Sequence, residues 1–142
     1  MNIKPLTEDF KCPVRSTNGS GGYDIFMPTR GMVYGQSDHG LFVDLGFAAE
    51  VPKNHVALIL PRSGKGSNHG LALNNTVGVI DSDYRGEWRV SMRLHNNERL
   101  MWEAGERLFQ FIIVPVMTQD LMVVSELDDT QRSQGGFGST GV

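Results

Sequence analysis

The sequence predicts an all-β domain, and two patterns carry that prediction. Many short extended runs are separated by Gly, Asn, Asp and Pro, with 17 glycines spread along the chain and concentrated at its C-terminus. Two of the runs alternate with period two. Leu41, Val43 and Leu45 oppose Phe42, Asp44 and Gly46; Trp88, Val90, Met92 and Leu94 oppose Glu87, Arg89, Ser91, Arg93 and His95. At 142 residues the chain suits one domain with a real core.

Composition narrows the function classes. With 13 Lys+Arg against 16 Asp+Glu the formal net charge is -3, which speaks against a nucleic-acid polymer or an anionic membrane as partner. An anionic ligand must therefore be held locally. Cys12 is the single cysteine and the four histidines are scattered, which argues against a disulfide framework or a tetrahedral zinc site. The N-terminal residues lack the apolar run of a signal peptide, and no stretch nears bilayer-spanning length, so a soluble, cytoplasmic protein is expected.

In order, Met1 to Lys11 reads as a first short strand, and Ser16 to Gly22 as a flexible loop leading into Tyr23-Asp-Ile-Phe26. Asp24 lies just inside that strand, either as a surface acid or as a charge that needs a partner. The continuous apolar run His55 to Leu60 reads as a buried strand delivering Arg62, Ser63 and two glycines to a loop over 61–67, a composition suited to phosphate oxygens. A P-loop is excluded, because position 60 is Leu and position 66 is Gly. Residues 75–90 read as a hairpin-like unit, Asn96 to Glu98 and Met101 to Gly105 as turns, Leu108 to Val114 as a strand, and Leu121 to Val124 as a last strand. Gln110 is the one polar side chain in its run and needs a hydrogen-bond partner, from a ligand or from neighbouring backbone.

The stretch from Gly78 to Trp88 is the most informative. It sets Asp81 and Asp83 at i and i+2, with Tyr84 and Arg85 directly after, and reads either as an acidic turn or as a site. Tyr84 fits packing or ligand contact equally well. At the C-terminus, Gly136, Gly138 and Gly141 satisfy a dinucleotide-binding spacing, but the chain stops one residue later, where that reading needs a helix. What remains is an arm carrying Arg132 for charge, Phe137 for stacking, and Ser139 and Thr140 for phosphate.

Five segments, in order across nearly the whole chain, resemble the motifs of the trimeric deoxyuridine triphosphatase (dUTP diphosphatase) family. They are Gly-Gly-Tyr-Asp-Ile at 21–25, Pro-Arg-Ser-Gly at 61–64, Gly-Val-Ile-Asp-Ser-Asp-Tyr-Arg-Gly at 78–86, Gly-Glu-Arg-Leu-Phe-Gln at 105–110 and Arg-Ser-Gln-Gly-Gly-Phe-Gly-Ser-Thr-Gly at 132–141. The resemblance implies a jelly-roll-like or β-barrel-like fold with at most one short helix. It further implies a single β domain over 1–131 and a mobile arm over 132–142. Homotrimers with active sites shared between subunits follow from it, as does hydrolysis of dUTP to dUMP and pyrophosphate, which limits uracil in DNA and supplies dUMP for thymidylate synthesis.

The same resemblance implies the roles. Asp81 would be the general base for attack of water on the α-phosphorus. Arg62, Ser63, Gly64 and Gln110 would grip phosphates, with Arg132, Gly138, Ser139 and Thr140 closing over them. Backbone groups around Asn75, Gly78, Val79, Ile80 and Arg89 would read uracil, Tyr84 would lie against the deoxyribose, and Phe137 would stack on the base. Asp24 and Asp83 would support the site. Mg2+ would be held by substrate phosphates and water rather than by protein ligands. Four positions depart from the family pattern: Gly22 for Ala, Lys65 for an apolar residue, Phe109 for a small one, and Ser133 for Gly. Phe109 brings bulk beside Gln110. The alternatives are a dCTP deaminase of the same fold and a dUTP-responsive regulatory protein with a protein partner.

Overall fold

The computed structural model describes residues 1–35 and 41–134. These form eleven strands and one helix, and every strand pairing is antiparallel. The strands are β1 (Ile3–Pro5), β2 (Tyr23–Phe26), β3 (Gly31–Tyr34), β4 (Leu41–Asp44), β5 (Phe47–Ala49), β6 (His55–Pro61), β7 (Leu71–Leu73), β8 (Gly78–Ile80), β9 (Arg89–Leu94), β10 (Arg99–Trp102) and β11 (Arg107–Pro115); the helix α1 spans Ser63–His69. They assemble as open sheets, β2-β11-β6-β8 and β4-β9-β7, with two-stranded β1-β5 and β10-β3. The arrangement is jelly-roll-like, not a closed barrel. No described helix is long and apolar enough to cross a membrane.

β6 and β11 form the spine, paired from Phe109↔Pro61 to Pro115↔His55. Their inward residues Ala57, Ile59, Leu108, Phe109 and Phe111 meet Val90, Met92 and Leu94 of β9 in one core. Trp88 lies at its centre, with ring centroids 5.1 Å from both Phe47 and Phe111. Full burial of side chains this large is worth about 1.5–3 kcal/mol each. The alternation read for 87–94 is the one observed: Trp88, Val90, Met92 and Leu94 are all buried.

Several local expectations are corrected. Residues 75–90 do not form a hairpin: β8 pairs with β6, whereas β9 pairs with β4 and β7. The connection 81–88 crosses between two sheets, and Trp88 hydrogen-bonds the Phe47–Leu45 edge, where its ring completes the core. The 61–67 loop is instead the start of α1, entered at Arg62 (φ -66, ψ 145) and ended by Gly70 at φ 64. Gly64 and Gly66 each cost a helix about 1 kcal/mol against Ala, so local propensity hides it. Met101 and Trp102 belong to β10 rather than to a turn, because Trp102 pairs with Gly31 and buries its ring. β1 is shorter than 1–11. Leu121–Val124 is no strand; Leu121 and Val123 are each 99% exposed, and no strand among the described residues pairs with them.

Candidate active site

The residues singled out from the sequence divide into two groups in one chain. The first gathers where β2, β6 and β11 lie side by side. Asp24 points outward from β2 while Tyr23 stacks on Phe111 and Ile25 enters the core. It is nevertheless only 6% exposed, the one buried charged residue among those described. Its oxygens are matched by cations: Arg62 Nε lies 3.0 Å from Oδ1 and Arg107 Nη1 3.1 Å from Oδ2. The Ser16 hydroxyl donates to Oδ2 at 3.2 Å. The choice left open for Asp24 thus falls to a partnered charge, as burial requires.

Arg62 is held at three points. Beyond Asp24, its Nη1 donates to the Arg107 carbonyl at 3.3 Å and its backbone N–H to the Leu108 carbonyl at 2.9 Å. Ser63 and Gly64 follow on the exposed first turn of α1, and a Cβ at Gly64 would meet nothing within 4 Å. With Arg62, Lys65, Asn68 and His69 they line a cavity of about 280 Å³. Lys65 Nζ lies 3.2 Å from Glu106 Oε2, while Glu106 Oε1 accepts the Glu103 N–H at 3.0 Å. That backbone bond, then the bond from Lys65, holds the Glu106 carboxyl below its ordinary value of 4.5.

Gln110 lies opposite Asp24 on β2 and Leu60 on β6, and its Nε2 donates to the Pro61 carbonyl at 3.4 Å. Backbone is its partner within the chain. A register shift between Arg107 and Phe109 lets consecutive Leu108 and Phe109 both enter the core. The bulk of Phe109 therefore points away from Gln110. A Cβ at Gly22 would stand 2.7 Å from Gln110 Oε1, the end of a flexible side chain, so the glycine leaves that amide more room.

The second group lies on the 74–89 connection. Asp81 is exposed just after β8, its carbonyl accepting the Tyr84 N–H at 3.2 Å. Tyr84 is exposed, with its hydroxyl donating to the Glu87 carbonyl at 3.0 Å. Asp83 lines a shallow surface pocket with Ser82, Arg85 and Glu50. Asn75 is exposed at a turn where Thr76 takes φ 68, and Gly78, Val79 and Ile80 form β8. Arg89 pairs across strands with Asp44 at 2.8 Å, which accounts for a long basic side chain on this exposed face.

The two groups do not meet in one chain. Ile80 pairs with Ala57, whereas Arg62 follows Pro61 at the other end of β6. At about 3.3 Å per residue, Asp81 lies roughly 16–20 Å along the strand from Arg62. Arg132 is exposed; Phe137, Gly138, Ser139 and Thr140 lie outside the described residues. Sequence reasoning missed Arg107. Its residue type sat in a quoted motif, but the bulge that turns it toward Asp24 leaves no local signal.

A buried carboxylate gripping two guanidiniums beside an exposed Ser-Gly turn, on an open antiparallel framework, defines a β protein with a polar, cation-rich edge. Comparison makes this specific. Residues 8–141 match the dUTPase family. The chain is 39% identical over 140 residues to the deoxyuridine 5'-triphosphate nucleotidohydrolase of Hydrogenobaculum sp., covering 99% of this chain and 96% of that one. It is 40% identical over 139 residues to the protein so named in Hahella chejuensis, covering 97% and 91%. A mutant dUTPase of Staphylococcus bacteriophage 80alpha with dUpNHpp superposes with a TM-score of 0.88 at 26% identity, covering 99% of this chain and 98% of that one. The chain belongs to the dUTPase family.

Proposed function

We infer that this chain is a dUTP diphosphatase that hydrolyses dUTP to dUMP and pyrophosphate. The observation that carries the reading is that Asp24, Arg62 and Gln110, from three distant family motifs, meet beside Ser63 and Gly64 at one end of β6. Oriented guanidinium and amide donors at a partly desolvated edge are what a polyphosphate requires. In this reading Arg62, Ser63, Gly64 and Gln110 bind phosphate oxygens. Asp81 holds the attacking water and accepts its proton. Tyr84 lies against the deoxyribose, and backbone groups from Asn75 through Gly78, Val79 and Ile80 to Arg89 read uracil. Asp83 supports that connection.

The separation of Asp81 from Arg62 supports sites shared between subunits, because one chain cannot present both to a single triphosphate. The exposed apolar residues of 121–124 support self-association by leaving apolar surface for another copy to cover, which in the family reading is a homotrimer. The domain over 1–131 then ends in an arm, 132–142, that closes Arg132, Phe137, Gly138, Ser139 and Thr140 over the nucleotide.

Among the described residues no three His, Cys, Asp or Glu side chains converge on one point. The exposed Asp81 and the phosphate-facing donors fit an ion that is carried by phosphate oxygens and water. When bound, Mg2+ neutralises charge on the phosphates and orients them. We assign the activity to the cytoplasm, in keeping with the exposed thiol of Cys12, and to limiting uracil in DNA while supplying dUMP.

The test is pyrophosphate release from dUTP, dTTP, dCTP and UTP in parallel, with magnesium and with a chelator. Magnesium-dependent release from dUTP alone is expected. Ammonia from dCTP would move the protein to the deaminases, and dUTP bound but left intact would move it to sensing.

A further inference from the structure

The Asp24 cluster contains one cation more than the family motifs assign to phosphate. A carboxylate paired with Arg62 alone would be electrically neutral, and a neutral pair attracts a polyphosphate weakly. Arg107 changes the sum. Its Nη1 lies 3.1 Å from Asp24 Oδ2 while Arg62 Nε holds Oδ1 at 3.0 Å, so two guanidiniums share one carboxylate. Among the described residues, the only other Lys or Arg lining the adjacent cavity, Lys65, is matched by Glu106 at 3.2 Å. The surplus positive charge at this edge therefore comes from Arg107.

Geometry adds a second role. The Arg107 carbonyl accepts Arg62 Nη1 at 3.3 Å, and the Arg107 guanidinium lies 5.8 Å from the Phe26 ring centroid, stacked as well as paired. The Arg107 side chain thus fixes the Asp24 carboxylate, which in turn holds Arg62, while the backbone carbonyl at 107 steadies the Arg62 guanidinium whatever the side chain there. A cation at this position can pair with the carboxylate and lie over the ring at once, so its charge carries the role. Both guanidinium side chains remain about a third exposed, at 33% for Arg62 and 37% for Arg107, so the charge is open to a ligand.

We propose that Arg107 is a positioning residue of the phosphate site: with Asp24 it presets Arg62, and it supplies the net positive charge that draws a nucleotide polyphosphate. This rests on the phosphate reading of Arg62 given above. Arg107→Gln and Arg107→Lys test it on the full chain, with thermal melting to verify folding. Inhibition of dUTP hydrolysis is measured for inorganic pyrophosphate and for deoxyuridine, both with magnesium.

Losing a charge-assisted partner should weaken pyrophosphate on the order of tenfold in Arg107→Gln. Deoxyuridine, which has no phosphate, should bind unchanged, and Arg107→Lys should recover most of the loss. Equal weakening of both inhibitors, or no weakening of pyrophosphate, overturns the proposal. So does a Lys variant as impaired toward pyrophosphate as the Gln variant. Should Arg107→Gln fail to fold, Arg107→Lys decides alone: pyrophosphate binding held near wild type supports the charge role, and its loss refutes it. If Arg62→Gln leaves pyrophosphate inhibition intact, the phosphate reading itself fails, a result distinct from these.

Discussion

Tyr84 folds back across Gly86. A Cβ at Gly86 would stand 2.6 Å from Tyr84 Cζ, and the hydroxyl reaches on to the Glu87 carbonyl at 3.0 Å. Glycine here is what lets the ring lie flat on its own connection. If Tyr84 excludes a 2′-hydroxyl, Gly86→Ala should shift the ring and raise relative kcat/KM for UTP over dUTP by about tenfold, within the range a single pocket contact commands. Tyr84→Ala should raise it at least as much. A changed ratio in Tyr84→Ala alone would mean that Gly86 does not set the ring.

Asp81→Asn is nearly isosteric at an exposed position, so the fold should be untouched. Calorimetry should find dUTP binding retained while turnover falls by about 10²–10⁴-fold, the usual contribution of a positioned base. Persistent hydrolysis would remove Asp81 from that role.

Deleting residues 132–142 should lower turnover on the order of 100-fold or more through lost positioning, with melting temperature and oligomeric size unchanged. A truncated protein that still turns over normally would leave the arm without a function in hydrolysis.

Leu121→Asp with Val123→Asp introduces two charges where both side chains are fully exposed within one subunit. A single folded subunit should tolerate them, but an assembly that buries these positions should not, at about 1.5–3 kcal/mol for each buried apolar side chain lost. Sedimentation should report smaller species and a matching fall in activity. An intact trimer would locate the interface elsewhere.

Glu106 carries a pH signature. Its folded carboxyl titrates below its ordinary 4.5, so its two hydrogen bonds add stability above that value, and the contribution disappears as pH falls through the lowered folded value. Glu106→Gln should therefore melt lower than wild type at pH 7, with the gap closing in acid. A gap that is constant with pH would mean that the ionised carboxylate is not what holds the Glu103–Lys65 junction.

The sequence by itself determined what is periodic or local. Alternation from Glu87 to His95 identified the buried face of β9, the apolar run from His55 identified β6, and the motif residues Asp24, Arg62, Asp81 and Gln110 were legible as a candidate set. Tertiary structure decided the rest, because partner choice between strands is a long-range property with no local trace. β8 and β9 read as one hairpin yet joined different sheets, the connection between them carrying Trp88 into the core against Phe47. α1 formed despite two glycines, its ends tied to neighbouring strands by the Arg62 N–H on the Leu108 carbonyl and the His95 N–H on the Gly70 carbonyl. Arg107 meets Asp24 from 83 residues away only because a bulge in β11 places two consecutive apolar residues inside and turns the arginine out. Antiparallel pairing of β8 with β6 likewise put Asp81 and Arg62 at opposite ends of one strand, a separation fixed by register and not by residue type.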